Sequence, residues 1–227
     1  MQQNILKHQL KVIGRKHLVN LQKLKNFGLV IIGAHIGAHI INDIETYKNQ
    51  NILLIEPVPH NLEALKKKIP NYKTIHIEQV TVGAQNQIRK FYYVKENSIS
   101  KLGKHWASGI GSFHKLHILN HKTKRFKICE EDIVFINIQS LTFEDLMKKY
   151  SVSSVDKLQI DVEGAEHEIL NSINYKKINI NKILFESKHF DGTFNEGEKL
   201  EMIKKKLISN NYRLTQIDKE NILAEKR

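Results

Sequence analysis

The groups best spaced for chemistry in this sequence are carboxylates that end apolar runs. Leu158-Gln159-Ile160 leads into Asp161, Val162, Glu163, Gly164, Ala165 and Glu166. An apolar strand that stops at Asp161, followed by Glu163 and a glycine that turns the chain into a helix, sets two carboxyl groups at one strand end. Such a pair can hold a divalent cation, bind a cofactor amine or share a proton as a general base. Acids near a helix N-terminus can also simply complement the helix dipole. A second apolar run ends in Glu186, with His189 three residues on as a candidate base, and a third ends in Glu56.

Glu56 follows a different partner. The stretch Leu29-Val30-Ile31-Ile32 runs into Gly33, Ala34, His35, Ile36 and Gly37, which reads as a buried strand, a tight turn and the start of a helix. A glycine turn after one strand and an acid at the tip of the next is how doubly wound folds hold a nucleoside. The glycines let the backbone approach the ligand, and the carboxylate accepts from the ribose hydroxyls. His35 has two readings of equal weight: its ring donates to a cofactor carboxylate, or it caps the turn's own backbone.

The elements that must position these groups follow from periodicity. Strands are expected at residues 29–32, 51–55, 74–77, 88–94, in the stretch from 155 through 160, at 182–186 and 212–217, and helices at 36–47, 59–69, 142–150 and 195–208. Pro59 suits the first turn of its helix, and Pro70 stops it. Thr142 is placed to cap the next, with Glu144 and Asp145 in the first turn. Residues 125–128 and 133–138 read as an antiparallel pair, and 220–227 as a short helix or a fraying tail. Strands and helices that alternate in this way make a parallel sheet, so Glu56, Asp161 and Glu186 should share one edge of it.

Two segments stand apart. Residues 1–26 read as an amphipathic helical lead-in to a single domain spanning 1–227. Residues 95–122 lack periodicity and combine glycine, serine, histidine and the only tryptophan, Trp106, as an irregular insertion on the substrate side. His105 and His114 enter from it. Trp106 either stacks on an acceptor ring or pins the insertion to the core.

The formal charge of +12 is spread over the 227 residues and reads chiefly as a solvated surface. No zinc-finger, basic-zipper or aromatic-interleaved basic pattern is present, so no nucleic-acid partner is expected. Cys129 is the only cysteine, which excludes an intrachain disulfide and a thiolate cluster and fits a reducing compartment. No apolar leader or transmembrane stretch is evident, and the expected localisation is cytoplasmic.

Taken together, Gly33-Ala34-His35-Ile36-Gly37, the Leu54-Ile55-Glu56-Pro57 element, Val82-Gly83, Asp161-Val162-Glu163-Gly164-Ala165-Glu166 and the run ending in Glu186 resemble the FkbM family of S-adenosylmethionine-dependent methyltransferases. The resemblance covers roughly residues 29–190. It implies an α/β class I methyltransferase fold, a Rossmann-like three-layer sandwich with a mostly parallel seven-stranded sheet, its last strand antiparallel, and an inserted hairpin or loop region. It implies S-adenosyl-L-methionine as cofactor and methyl transfer to a hydroxyl of a sugar, glycan precursor or other small metabolite. Gly33, Ala34, His35 and Gly37 would line the methionine part, Glu56 and Pro57 the ribose, and Gln79 and Val80 the adenine. Asp161 would lie beside the transferring methyl and serve as base, with Glu163, Glu186 or His189 assisting. A divalent cation remains open, with no ligand set assigned, as does a homodimer.

One departure stands out: where the family has Asp and Asn in its first glycine motif, this chain has Ile31 and His35. Methylation of nitrogen or another acceptor, and a non-catalytic member that keeps the fold, are therefore the alternatives. A dinucleotide oxidoreductase is a lesser rival, because His35 and Ala38 stand where its fingerprint needs glycine.

Overall fold

A computed structural model describes residues 26–188, 190 and 197–227, so residues 1–25 of the lead-in expected over 1–26 and the candidate base His189 lie outside the described residues. Seven strands form the central sheet. They are β1 (Phe27–Ile32), β2 (Ile52–Ile55), β3 (Ile75–Glu78), β8 (Ser154–Ile160), β9 (Asn179–Glu186), β10 (Tyr212–Gln216) and β11 (Asn221–Lys226), in the order β10-β11-β9-β8-β1-β2-β3. Pairs along β3-β2-β1-β8-β9 are parallel, and β11 runs antiparallel to both β9 and β10. The chain thus has the mostly parallel seven-stranded sheet of a Rossmann-like class I methyltransferase fold.

Period-two alternation explains why the sheet has three layers. In β1, Leu29 and Ile31 face one apolar cluster while Val30 and Ile32 face another, and in β2 the pairs Ile52/Leu54 and Leu53/Ile55 divide the same way. The first cluster is covered by α1 (Ile41–Thr46) and α2 (Pro59–Lys68) through Ile44 and Leu65. The second is covered by α5 (Phe143–Lys149), α6 (Glu166–Ser172) and α7 (Glu198–Ser209) through Leu146, Ile169 and Leu207. Truncating one such fully buried leucine to alanine costs about 2–5 kcal/mol. Thr142 caps α5 as expected: its Oγ1 accepts from the Asp145 N–H at 3.1 Å.

Three local expectations change. The helix expected from residue 36 begins at Ile41, because His35 and Gly37 have φ of 50° and 78° and residues 35–40 form turns instead. Residues 125–128 form no strand. Thr123 and Phe126 close a turn on each other, Phe126 and Ile128 are buried beneath the insertion, and the edge of β7 (Ile133–Leu141) is taken by β5 (Gln87–Val94). Residues 220–227 are neither helix nor tail but contain β11, whose Ile222 and Ala224 are buried beside β9. Asp218 prepares its hairpin by accepting the Glu220 and Asn221 N–H groups, both at 2.8 Å.

The insertion is also more regular than expected. It carries α3 (Glu96–Leu102), a 3₁₀ turn (His105–Gly109), β6 (Gly111–Ser112) and α4 (Lys115–Asn120). Strands β5 and β7, with β6 and β4 (Thr81–Val82), make a second, four-stranded sheet. Leu102, Ala107, Ile118 and Phe126 form an apolar cluster of their own with Val94 and Ile133. Short turns in sequence thus conceal a packed subdomain, which the hairpin holds over the carboxyl edge of the main sheet.

Candidate active site

The glycine turn is made by two strand ends. Gly33 and Ala34 donate to the Ile55 carbonyl at 3.0 and 2.9 Å, and Asp161 N–H donates to the Ile32 carbonyl at 3.0 Å. Gly33 has φ of 91°, and a Cβ there would lie 1.8 Å from the Asp161 carbonyl oxygen, so the tips of β1 and β8 can meet only at a glycine. Ile31, at the family's Asp position, is fully buried in the cluster under α1 and α2.

Glu56 is the hub of the side next to the glycine turn. It is 4% exposed. One carboxylate oxygen accepts from the His35 N–H at 2.8 Å, and the other from the Val58 N–H at 2.9 Å and Asn61 Nδ2 at 3.4 Å. Burial outweighs these three donors and pushes its carboxyl up to about 7. Asn61 also donates to the Ser108 carbonyl at 2.8 Å, and His35 Nε2 lies 2.6 Å from Ser108 Oγ. Ser108 Oγ also lies 3.1 Å from the His105 carbonyl. Burial lowers the His35 pKa to about 4, which keeps the ring neutral. His35 therefore fastens the insertion to the glycine turn, a role outside both readings given to it from sequence.

The acidic side is built at the ends of β8 and β9. Glu163 and Gly164 take positive φ, 56° and 104°, in the turn between β8 and α6. Glu166 is fully buried and holds that turn: its two oxygens accept from the Val162 and Gly164 N–H groups, each at 2.9 Å. Asp161 opens into the cavity at the strand end, and confinement there raises its carboxyl. Burial, and then the Asp161 charge, raise Glu163 to about 7. Burial, then Glu163 and Asp161, raise Glu186 to about 8. One oxygen of Glu163 and one of Glu186 are sealed from solvent without a hydrogen-bond partner.

A cavity of about 450 Å³ lies between these two sides. Gly33, Glu56, Pro57, Val80, Asp161 and Glu163 all line it. Ala34, His35, Gly37, Gln79 and Glu186 are not among its walls. Ala34 and Gly37 are buried in the turn, Gln79 is exposed with its amide on the Pro57 carbonyl, and Glu186 stands behind Glu163 as its electrostatic neighbour.

Sequence reasoning missed the opposite wall. It is formed by Thr81 and Val82 of β4, Phe91 of β5, Ser112 and Phe113 of the insertion, and one face of α6 at Glu168, Asn171 and Ser172. The signal for the last was present: 168, 171 and 172 fall on one helical face after Gly164. Glu168 is held by Arg89 Nη1 at 2.9 Å, and the same guanidinium lies 3.4 Å from the centre of the Phe113 ring. His114 lines the cavity, whereas His105 does not, and Trp106 packs on Phe126 at 4.6 Å between ring centres. His117 and His121, one helical turn apart, were not singled out, yet they reach Glu163.

Residues 32–214 match the family described as "Methyltransferase FkbM domain". No curated protein matches the sequence. Among solved structures, precorrin-6y C5,15-methyltransferase from Geobacter metallireducens is similar at 11% identity, over 93% of this chain and 92% of that one, with a TM-score of 0.44. Aeropyrum pernix fibrillarin, solved with natively bound S-adenosyl-L-methionine, is similar at 13% identity, over 95% and 74%, with a TM-score of 0.43.

Proposed function

We propose, from the premise that this chain belongs to the FkbM methyltransferase family and is an S-adenosylmethionine-dependent methyltransferase, that its acceptor is a hydroxyl of a sugar, a glycan precursor or another small metabolite. The observation that carries this reading is Asp161, a carboxylate that opens into the cavity between the Glu56 side and the insertion. A hydroxyl must lose its proton as its oxygen attacks, and an amine acceptor that arrives neutral has no such need of a base.

The residues present fit the cofactor. The cavity has the size of small-molecule sites, and Glu56, oriented by two backbone N–H groups and Asn61, keeps one lone-pair position, on Oε2, that a ribose hydroxyl can use. Gly33 would border the methionine part, Pro57 the ribose and Val80 the adenine, all three being walls of the cavity. The carboxylate absent at Ile31 has a substitute in Asp161, at the end of the adjacent strand.

S-adenosylmethionine supplies a methyl activated by its sulfonium. Asp161 would take the acceptor hydroxyl's proton as that methyl is passed to the oxygen. The protein's part is to align the pair and exclude water, for which Phe91, Phe113 and Val82 provide an apolar wall.

A labelled-methyl screen against sugars, nucleotide sugars and small phenols, read by mass spectrometry, tests the reading. Label on an oxygen supports it, and label on nitrogen alone overturns it. On the acceptor found, Asp161→Asn should lower kcat by about 100-fold or more. Full turnover by that variant excludes the base role.

A further inference from the structure

We propose that His117, His121 and Glu163 form a binding site for a divalent first-row transition ion, Zn²⁺ foremost, at the rim of the cavity. The ligand atoms of these three residues all lie within 4.8 Å of one another. They come from two separate parts of the chain: His117 from α4 of the insertion, His121 from the residue that ends it, and Glu163 from the turn after β8.

The two imidazoles face each other with Nε2 atoms 3.5 Å apart and rings at 85°. Ligands at about 2.05 Å around a tetrahedral zinc are separated by roughly 3.3 Å, so the pair already spans one edge of such a site. The i, i+4 spacing puts both rings on one helical face, where their nitrogens come within 4.8 Å of Glu163. His121 lies beside the Trp106 ring, which packs on Phe126 and stiffens that face.

Glu163 supplies the third ligand and two reasons to expect a cation. It is a non-glycine residue held at positive φ, a strained conformation that structures retain mainly where a side chain must be aimed. One of its oxygens is sealed from water with no hydrogen-bond partner, beside the carboxyl groups of Asp161 and Glu186. Three crowded carboxyl groups favour a cation among them. Two nitrogens and one oxygen select Zn²⁺, Mn²⁺, Fe²⁺, Co²⁺ or Ni²⁺ over Mg²⁺ and Ca²⁺. Since Glu163 also lines the cavity, the ion would have an open position there for the acceptor hydroxyl and would lower its pKa. That last role rests on the hydroxyl-acceptor reading, whereas the site itself does not.

The test is calorimetric titration of metal-stripped full-length protein with Zn²⁺, and absorption titration with Co²⁺, alongside titration with S-adenosylhomocysteine. The expected result is one Zn²⁺ per chain and Co²⁺ ligand-field bands. His117→Ala, His121→Asn and Glu163→Gln should each weaken Zn²⁺ binding by about 100-fold or more, since even outer-shell partners cost 10–100-fold. His121→Asn should keep S-adenosylhomocysteine affinity within about twofold, which shows that the fold persists. Absence of Zn²⁺ binding, or affinity unchanged in His121→Asn and Glu163→Gln, overturns the site and leaves the methyltransferase reading standing. Metal binding without S-adenosylhomocysteine binding upholds the site and removes the cofactor assignments instead.

Discussion

Glu56 shows how one buried carboxylate sets a measurable property of the protein. Its carboxyl is raised to about 7 because burial costs the charged form more than three donors return. A ribose hydroxyl in its proposed role would donate to the anion, so ligand binding selects the deprotonated group. The sign follows: affinity is low where Glu56 is protonated, rises with pH through about 7, and is flat above. S-adenosylhomocysteine should bind about tenfold more weakly at pH 6 than at pH 8, because one pH unit below a pKa leaves roughly a tenth of the group ionised. Calorimetry at the two pH values checks this. Glu56→Gln should bind more weakly at pH 8 and lose the slope, and a slope that survives in that variant reassigns it to other groups.

At the scale of elements, the insertion is held to the glycine turn by few but well-placed bonds. Ser108 shares a hydrogen bond with His35 Nε2 through its hydroxyl and accepts from Asn61 on its carbonyl, and both partners belong to the setting of Glu56. The 3₁₀ turn His105–Gly109 therefore sits against the carboxylate that would meet the cofactor. Ser108→Ala leaves the partly buried His35 Nε2 without its partner, at a cost of about 1–3 kcal/mol, while the Asn61 bond remains. Amide hydrogen exchange over residues 105–111 should then accelerate by about tenfold, with the amides of β1 and β8 unchanged. Acceleration throughout the central sheet would show that the contact supports the whole fold and not the docking of the insertion.

At the scale of the molecule, the last strand in the chain is interior to the sheet. β11 lies between β9 and β10 and carries Glu225, which pairs with both Lys182 at 3.2 Å and Arg213 at 3.0 Å. A chain ending at Asp218 keeps β10 but removes the strand that joins it to β9, together with buried Ile222 and Ala224. That truncation should abolish the cooperative thermal transition seen by circular dichroism in the full chain. Removing a frayed tail would leave the transition where it was. Among the described residues no helix is long and apolar enough to cross a membrane.

The order of elements, the turn at Gly33 and the shared edge of Glu56, Asp161 and Glu186 were legible because they rest on local chemistry. Strand periodicity, glycine at positive φ and acids at strand ends are properties of a few consecutive residues. Where the chain goes after leaving an element is not. Tertiary structure alone decided that residues 125–128 lose the β7 edge to β5, and that the alternation of Asn221–Lys226 is used inside the sheet. It decided that His35 turns to Ser108, 73 residues away, and that Glu56 is enclosed by it. It also brought His117 and His121 to Glu163, more than forty positions on, a distance in sequence over which no spacing rule operates. Strand partners and side-chain neighbours are chosen by competition for shared surface across the whole chain, and that competition is settled only when the layers pack.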